Sequence, residues 1–152
     1  MKKAILFDLG NTLAYYFEKS EFPEILKKSV TEVQSHLRQR ALLSVSEEVM
    51  WGRVKEENHE SSDYQVRPLE GRLTRIFKIR DKTQSSELIG SMCRWFMKPI
   101  FVRVRIYQDT IAALKELKSR GYKLAIVSNT TWGSPASLWR ETPRKHRFER
   151  VF

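Results

Sequence analysis

The stretch Ala4-Ile5-Leu6-Phe7-Asp8-Leu9-Gly10-Asn11-Thr12-Leu13 constrains the fold more than any other part of the chain. Four apolar residues run straight into an aspartate, and the aspartate opens onto a Gly-Asn turn. A short continuous apolar run closed by a turn signal predicts a fully buried strand of a parallel sheet. In such sheets ligands bind just beyond the carboxyl ends of the strands. Asp8 therefore stands where a carboxylate serves chemistry. The alternative reading is an Asp that caps the following turn.

After Thr12 the pattern changes. From about residue 16 to residue 105 the periodicity is helical, with little strand signal. Ile25, Leu26, Val30, Val33, Leu37 and Ala41 recur at steps of three and four and form one apolar stripe, with Pro23 in the first turn. Ser44-Val45-Ser46-Glu47 reads as a capping box for a second helix through Val49, Met50 and Val54. Residues 58–65 are polar and read as a loop. Pro68 opens a third helix with Leu69, Leu73, Ile76 and Phe77 on one face. Ser85 or Ser86 caps a fourth, carrying Leu88, Ile89, Met92, Trp95 and Phe96, which Pro99 ends or kinks.

From residue 106 the α/β pattern returns. Asp109 is a good N-cap for a helix bearing Ile111, Leu114 and Leu117, and Gly121 stops it. Lys123-Leu124-Ala125-Ile126-Val127 predicts a second buried strand, which runs into the polar turn Ser128-Asn129-Thr130-Thr131. Pro135 starts another helix with Leu138 and Trp139 on its apolar face, and Phe148, Val151 and Phe152 suggest a third strand beginning. Two strands thus each end in a polar cluster. Side by side, they bring a carboxylate, Asp8, to a hydroxyl and an amide, Ser128 and Asn129. A carboxylate can attack phosphorus and form an acyl phosphate. A hydroxyl and turn N–H groups can hold the phosphoryl oxygens. A phosphate monoester and a carboxylate repel each other, so a divalent cation is needed, and magnesium binds through one or two carboxylates.

The net charge is +10, yet the 28 Lys and Arg are spread along the chain, most densely at Arg140, Arg144, Lys145, Arg147 and Arg150. No zinc-finger or RNA-binding signature accompanies them, which argues against nucleic acid and for a solvated basic surface that attracts anionic substrates. No apolar run approaches the roughly 18 residues of a membrane span. Lys2 and Lys3 precede only the short run that Asp8 ends, so no signal peptide is expected. The lone cysteine, Cys93, excludes an internal disulfide and a cysteine zinc cage and fits a cytoplasmic setting.

The pattern resembles the haloacid dehalogenase (HAD) superfamily of hydrolases. Phe7-Asp8-Leu9-Gly10-Asn11-Thr12-Leu13 resembles its first motif, whose first Asp is the nucleophile. Leu124-Ala125-Ile126-Val127-Ser128-Asn129 resembles its second motif, whose Ser binds phosphate. The helical block between them resembles an inserted cap of the first type. The resemblance implies an α/β fold. A Rossmann-like parallel sheet core spans 1–15 and 106–152, incomplete at the C-terminus, with a helical cap at 16–105. It implies catalysis by Asp8, phosphate binding by Ser128, Asn129 and Thr12, and Mg²⁺ on Asp8 and the Gly10 carbonyl.

Two departures matter. The residue two after the nucleophile is an acid/base Asp in the family's phosphatases and is Gly10 here. General acid/base help is typically worth ~10²–10⁴-fold. The family's third-motif Lys and fourth-motif acidic pair have no clear match, since Lys145, Glu141 and Glu149 lack a strand-end setting. The chain therefore reads as the N-terminal part of a longer hydrolase, truncated before those motifs, with bare sheet edges open to self-association. Three functions follow from the resemblance: a hydrolase of a small phosphorylated substrate through an aspartyl-phosphate on Asp8, a non-catalytic HAD-fold remnant or binding module, and a metal-independent dehalogenase. Trp51, Trp95, Tyr15, Tyr16 and Arg53 are candidates for lining the cleft. His36, His59 and His146 look isolated.

Overall fold

The computed structural model describes residues 3–58, 65–79 and 85–140. Strands β1 (Ala4–Phe7) and β4 (Lys123–Ile126) pair in parallel, from Ala4 opposite Lys123 to Phe7 opposite Ile126. The Val127 amide carries the ladder one step further, to the Phe7 carbonyl at 2.9 Å. The two predicted strands are therefore neighbours, and their carboxyl ends share one end of the sheet.

Full burial of these strands is not observed. Phe7, Leu124 and Ile126 pack on the core, but Leu6 is 66% exposed and Val127 63%. Continuous apolar strands are the mark of sheets covered on both faces. Among the described residues only one face of this pair is covered, so alternate side chains face outward.

A second, antiparallel pair joins β2 (Ala14–Tyr15) to β3 (Arg105–Ile106), with Ala14 opposite Ile106. It ties together the two ends of the helical stretch. Two-residue strands are too short to leave a period in the sequence, which is why this region read as helix alone.

The helices between them are α1 (Phe22–Gln39), preceded by a 3₁₀ turn at Lys19–Glu21, then α2 (Glu47–Glu57), α3 (Leu69–Phe77) and α4 (Ser86–Phe101). Helix α1 packs along α4, α3 on α4, and α2 on α3. The predicted stripe of α1 is its buried face through Leu37, joined in the core by Met50, Leu73, Phe77 and Phe96. Ala41 falls outside α1, with φ 54, and is exposed.

Helix α2 is capped by Ser46 rather than Ser44. Its hydroxyl accepts the Val49 amide at 3.4 Å, because Ser46 is the last residue with extended backbone before the helix. Ser85 caps α4, accepting the Leu88 amide at 3.0 Å. Pro99 lies in the last turn of α4, which runs on to Phe101. Replacing Ser85 with Ala is expected to cost about 1 kcal/mol, read as a lower urea midpoint at unchanged slope.

Helix α5 (Thr110–Ser119) follows β3. Asp109 occupies its N-cap position but caps nothing, because its backbone is already helical (φ −87, ψ −16). Instead the buried Thr110 hydroxyl donates to the Leu13 carbonyl at 3.0 Å and fixes α5 to the turn after Asp8. Gly121, at φ 83, ends α5 as expected. A further helix begins at 136, just after Pro135. The strand expected near Phe148, Val151 and Phe152 lies outside the described residues, as do Glu141, Lys145 and Glu149.

Among the described residues no helix is long and apolar enough to cross a membrane. Cys93 is buried in α4, and burial pushes its thiol up to about 12. Since the thiolate is the nucleophile, Cys93 is expected to resist iodoacetamide at pH 8 in the folded chain and to react in urea, as followed by intact mass.

Candidate active site

Asp8 is the first residue beyond β1 and is exposed. The turn that follows is held by backbone. The Leu9 carbonyl accepts the Leu13 and Ala14 amides at 3.0 Å each, and the Asn11 amide donates to the Ala14 carbonyl at 2.7 Å. Asn11 takes φ 57, a left-handed conformation that Asn tolerates better than most residues. The Thr12 hydroxyl lies 3.5 Å from the Asp8 carboxylate, at the long limit of a hydrogen bond. Thr12 therefore reaches Asp8 from within the same turn.

The second cluster follows β4. Ser128 donates its hydroxyl to the Asn129 carbonyl at 3.2 Å. Ser128, Asn129 and Thr130 line a cleft of about 270 Å³, with Leu9 and Ile126 at the sheet end and Trp139 and Arg140 across from them. Asp8 and Thr12 are not among its lining residues; Leu9, next to Asp8, is. The parallel pairing thus brings the two predicted clusters to one sheet end, where Asp8 accepts from Thr12 and Ser128 donates to the Asn129 carbonyl.

Three features go beyond the sequence reading, which offered Tyr16 only as a candidate for lining the cleft. Arg140, counted only with the basic end of the chain, lines the cleft from the helix that Pro135 precedes. Its position five residues after Pro135 was the available signal. Tyr16 fills the space beside Gly10: a Cβ on Gly10 would meet Tyr16 Cε2 at 2.9 Å. Burial, and secondarily the charge of Asp8, hold the Tyr16 phenol far above its usual range, so it stays protonated.

The third is Trp132, in a 3₁₀ turn (Thr131–Gly133) that follows the Ser128 cluster. Its ring stacks on Phe96 of α4 at 5.1 Å between centroids, under the Arg72 guanidinium of α3 at 5.0 Å. Its indole N–H donates to Asn58, the residue that ends α2, at 3.2 Å. Trp132 holds this grip at φ 56, a strained backbone for a bulky residue. One residue of the Ser128 loop thus touches three helices of the helical block.

Four of the five residues proposed as cleft lining are engaged elsewhere. Tyr15 donates to Glu21 at 2.9 Å, Trp51 to Glu47 at 3.4 Å, and Arg53 to the Arg75 carbonyl at 2.9 Å. Trp95 stacks on His36 at 4.4 Å, with Arg40 above it. His36, which also pairs with Glu32 at 3.6 Å, is therefore not isolated. His59 and His146 lie outside the described residues.

Among the described residues no three His, Cys, Asp or Glu side chains group to hold a metal ion. Two oxygen donors on the Asp8 turn are the ones expected from the sequence. One is the carboxylate. The other is the Gly10 carbonyl, which the hydrogen bonds of the turn leave unused among the described residues. A pair of hard oxygens suits Mg²⁺, which keeps several waters when the protein supplies few ligands.

Several solved structures are similar to the chain. One is a predicted phosphoglycolate phosphatase from Haemophilus somnus, at 22% identity and TM-score 0.44, covering 99% of this chain and 60% of that one. A haloacid dehalogenase-like family hydrolase from Streptococcus pneumoniae matches at 16% identity and TM-score 0.44, over 99% of this chain and 59% of that one. A predicted phosphatase from Clostridium acetobutylicum matches at 13% identity and TM-score 0.43, over 100% and 59%. The chain spans about three fifths of the length of these structures. No curated protein matches it. The family model of haloacid dehalogenase-like hydrolases matches residues 2–152. With an Asp-ended strand parallel to a Ser-Asn-ended one, the chain belongs to the haloacid dehalogenase-like hydrolase family.

Proposed function

We propose that the chain carries the nucleophile half of a phosphate-ester hydrolase acting on a small phosphorylated substrate. The observation that carries this reading is the parallel register of β1 and β4, which ends Asp8 and the Ser128-Asn129 turn at one edge of the sheet. An Asp8 carboxylate oxygen attacks phosphorus, and the bond from phosphorus to the ester oxygen breaks with its electrons on the leaving alkoxide, which takes a proton from water. Water then attacks the aspartyl-phosphate, releasing phosphate and restoring Asp8.

Ser128 holds a phosphoryl oxygen, which requires its hydroxyl to turn from the Asn129 carbonyl to the ligand. Thr12 and Asn129 support the two loops. Arg140 adds positive charge at the cleft wall. Asp8 and the Gly10 carbonyl would hold Mg²⁺, which would supply charge neutralisation between carboxylate and phosphate. In the same reading residues 16–105 are a cap over a core made of 1–15 and 106–152, with Trp132 as one contact between them.

Ser128→Ala is expected to lower kcat/KM for a phosphate monoester by roughly 10-fold, the loss of one hydrogen bond to a charged oxygen. Turnover of p-nitrophenyl phosphate with MgCl₂, and none of a 2-haloacid, is the outcome expected. Turnover of the 2-haloacid without metal, and none of the phosphate ester, sinks the proposal.

A further inference from the structure

The cleft beside Ser128 has two walls, and one short turn joins them. Ser128, Asn129 and Thr130 line one side, and Trp139 and Arg140 the other. Between them lies the 3₁₀ turn Thr131–Gly133. The Gly133 amide donates back to the Thr130 carbonyl at 3.1 Å, which ties the turn to the first wall. The buried Ser134 accepts the Trp139 indole N–H at 2.7 Å, which ties it to the second. The place of this turn therefore sets how the two walls stand to each other.

The turn is gripped from outside, by the helical block. The Trp132 indole N–H reaches Asn58 at the end of α2, its ring stacks on Phe96 of α4, and Arg72 of α3 lies over it. The neighbouring Gly133 approaches the Arg67 carbonyl so closely that a Cβ would overlap it. Trp132 itself stands at φ 56. For a bulky residue that backbone costs energy and persists only where the surroundings over-determine it. Contacts to three helices hold it here. At the other end of the same turn they fix Thr130, and with it the strand end that carries Ser128.

We infer that Trp132 is a positioning residue for the Ser128 cleft, which anchors both cleft walls to the helical block and so sets how tightly a phosphate group is held beside Ser128. This rests on the phosphate-ester reading of the site. Trp132 acts through the backbone of Thr131 and Thr130, without touching the ligand. When its grip is loosened, only a fraction of the chains has the turn in place, and the apparent affinity falls by that fraction.

The test uses orthophosphate with MgCl₂ as the probe, on the whole chain, by calorimetric titration beside a melting curve of each variant. Asn58 is exposed and ends α2, so Asn58→Ala removes the acceptor of the indole N–H and disturbs little packing. Trp132→Phe removes the donor and keeps an aromatic ring against Phe96. Each is expected to weaken orthophosphate binding roughly three- to tenfold, the worth of one hydrogen bond. Asn58→Asp keeps an acceptor for the indole and is expected to bind as the unmodified chain does. The double variant of Asn58→Ala and Trp132→Phe is expected to bind as Trp132→Phe alone, since the bond is already gone. Unchanged affinity in both single variants, with or without a lower melting point, overturns the inference and leaves the phosphate-ester reading standing, because the bond would then be structural only. Losses that multiply in the double variant also overturn it, because the two residues would then act separately. No orthophosphate binding by the unmodified chain overturns the phosphate-ester reading and this inference with it.

Discussion

Asp8→Asn is expected to bring phosphate-ester turnover to background while leaving the melting point within about two degrees. Asparagine matches aspartate in shape, so the turn keeps its backbone bonds, which involve Leu9, Asn11, Leu13 and Ala14 and not the Asp8 side chain. Among the described residues the side-chain partner of the carboxylate is Thr12 at 3.5 Å, and Asp8 is exposed, so little stability is at stake. The amide is not a nucleophile toward phosphorus, and it is a weaker ligand for Mg²⁺. Losing a covalent nucleophile costs roughly 10⁴–10⁶-fold in kcat. A stopped assay with p-nitrophenyl phosphate, next to a melting curve of the same sample, separates lost chemistry from lost fold.

The second large effect falls on Gly133. An added Cβ there would lie 2.1 Å from the Arg67 carbonyl oxygen and 2.9 Å from its carbon, in a backbone held at φ +68. Both obstacles are backbone, so no rotamer relieves them. Gly133→Ala is expected to destabilise by about 3 kcal/mol, from overpacking plus the left-handed backbone. For a chain of this size that lowers the melting point by roughly 6–12 °C. Gly52 is the control. It lies in α2 with nothing within 4 Å of an added Cβ, and Gly52→Ala is expected to gain up to about 1 kcal/mol from helix propensity. Because Gly133 adjoins Trp132, the same substitution also loosens the grip of the Ser128 loop on α2, α3 and α4. Unchanged stability in Gly133→Ala would show that the loop approaches Arg67 less closely.

What the sequence disclosed, and what it hid, follows from the range of each interaction. Asp8, Ser128 and Asn129 were legible because each ends an apolar run, and a run followed by a polar turn is a local signal. Helices α1 and α3 were legible from their stripes, and their buried faces carry the residues that the period selects. The identity of a cap was less secure: Ser44 and Ser46 both precede α2, and only the backbone conformation chooses Ser46. Asp109 had the right residue type and the wrong backbone.

The contacts of Tyr16, offered by the sequence only as a cleft-lining candidate, and of Trp132 were beyond reach for another reason. Tyr16 matters through the absence of a side chain at Gly10 and through Trp139, far along the chain. Trp132 meets Asn58, Arg72 and Phe96, partners that no spacing rule connects. A Trp-Gly pair after a polar turn looks like an ordinary loop until its partners are in place. The outward-facing residues of β1 and β4 show the converse. Their sequence carries the pattern of a sheet covered on both faces, while the described residues cover one.

The most direct test asks where the phosphoryl group goes. The chain is mixed with a phosphate monoester and MgCl₂, quenched in acid within the first turnover, and digested for peptide mass mapping. One phosphoryl group on the peptide that contains Asp8, absent from Asp8→Asn, is the result expected. Turnover with the phosphoryl group on another residue, or turnover that persists in Asp8→Asn, would contradict it.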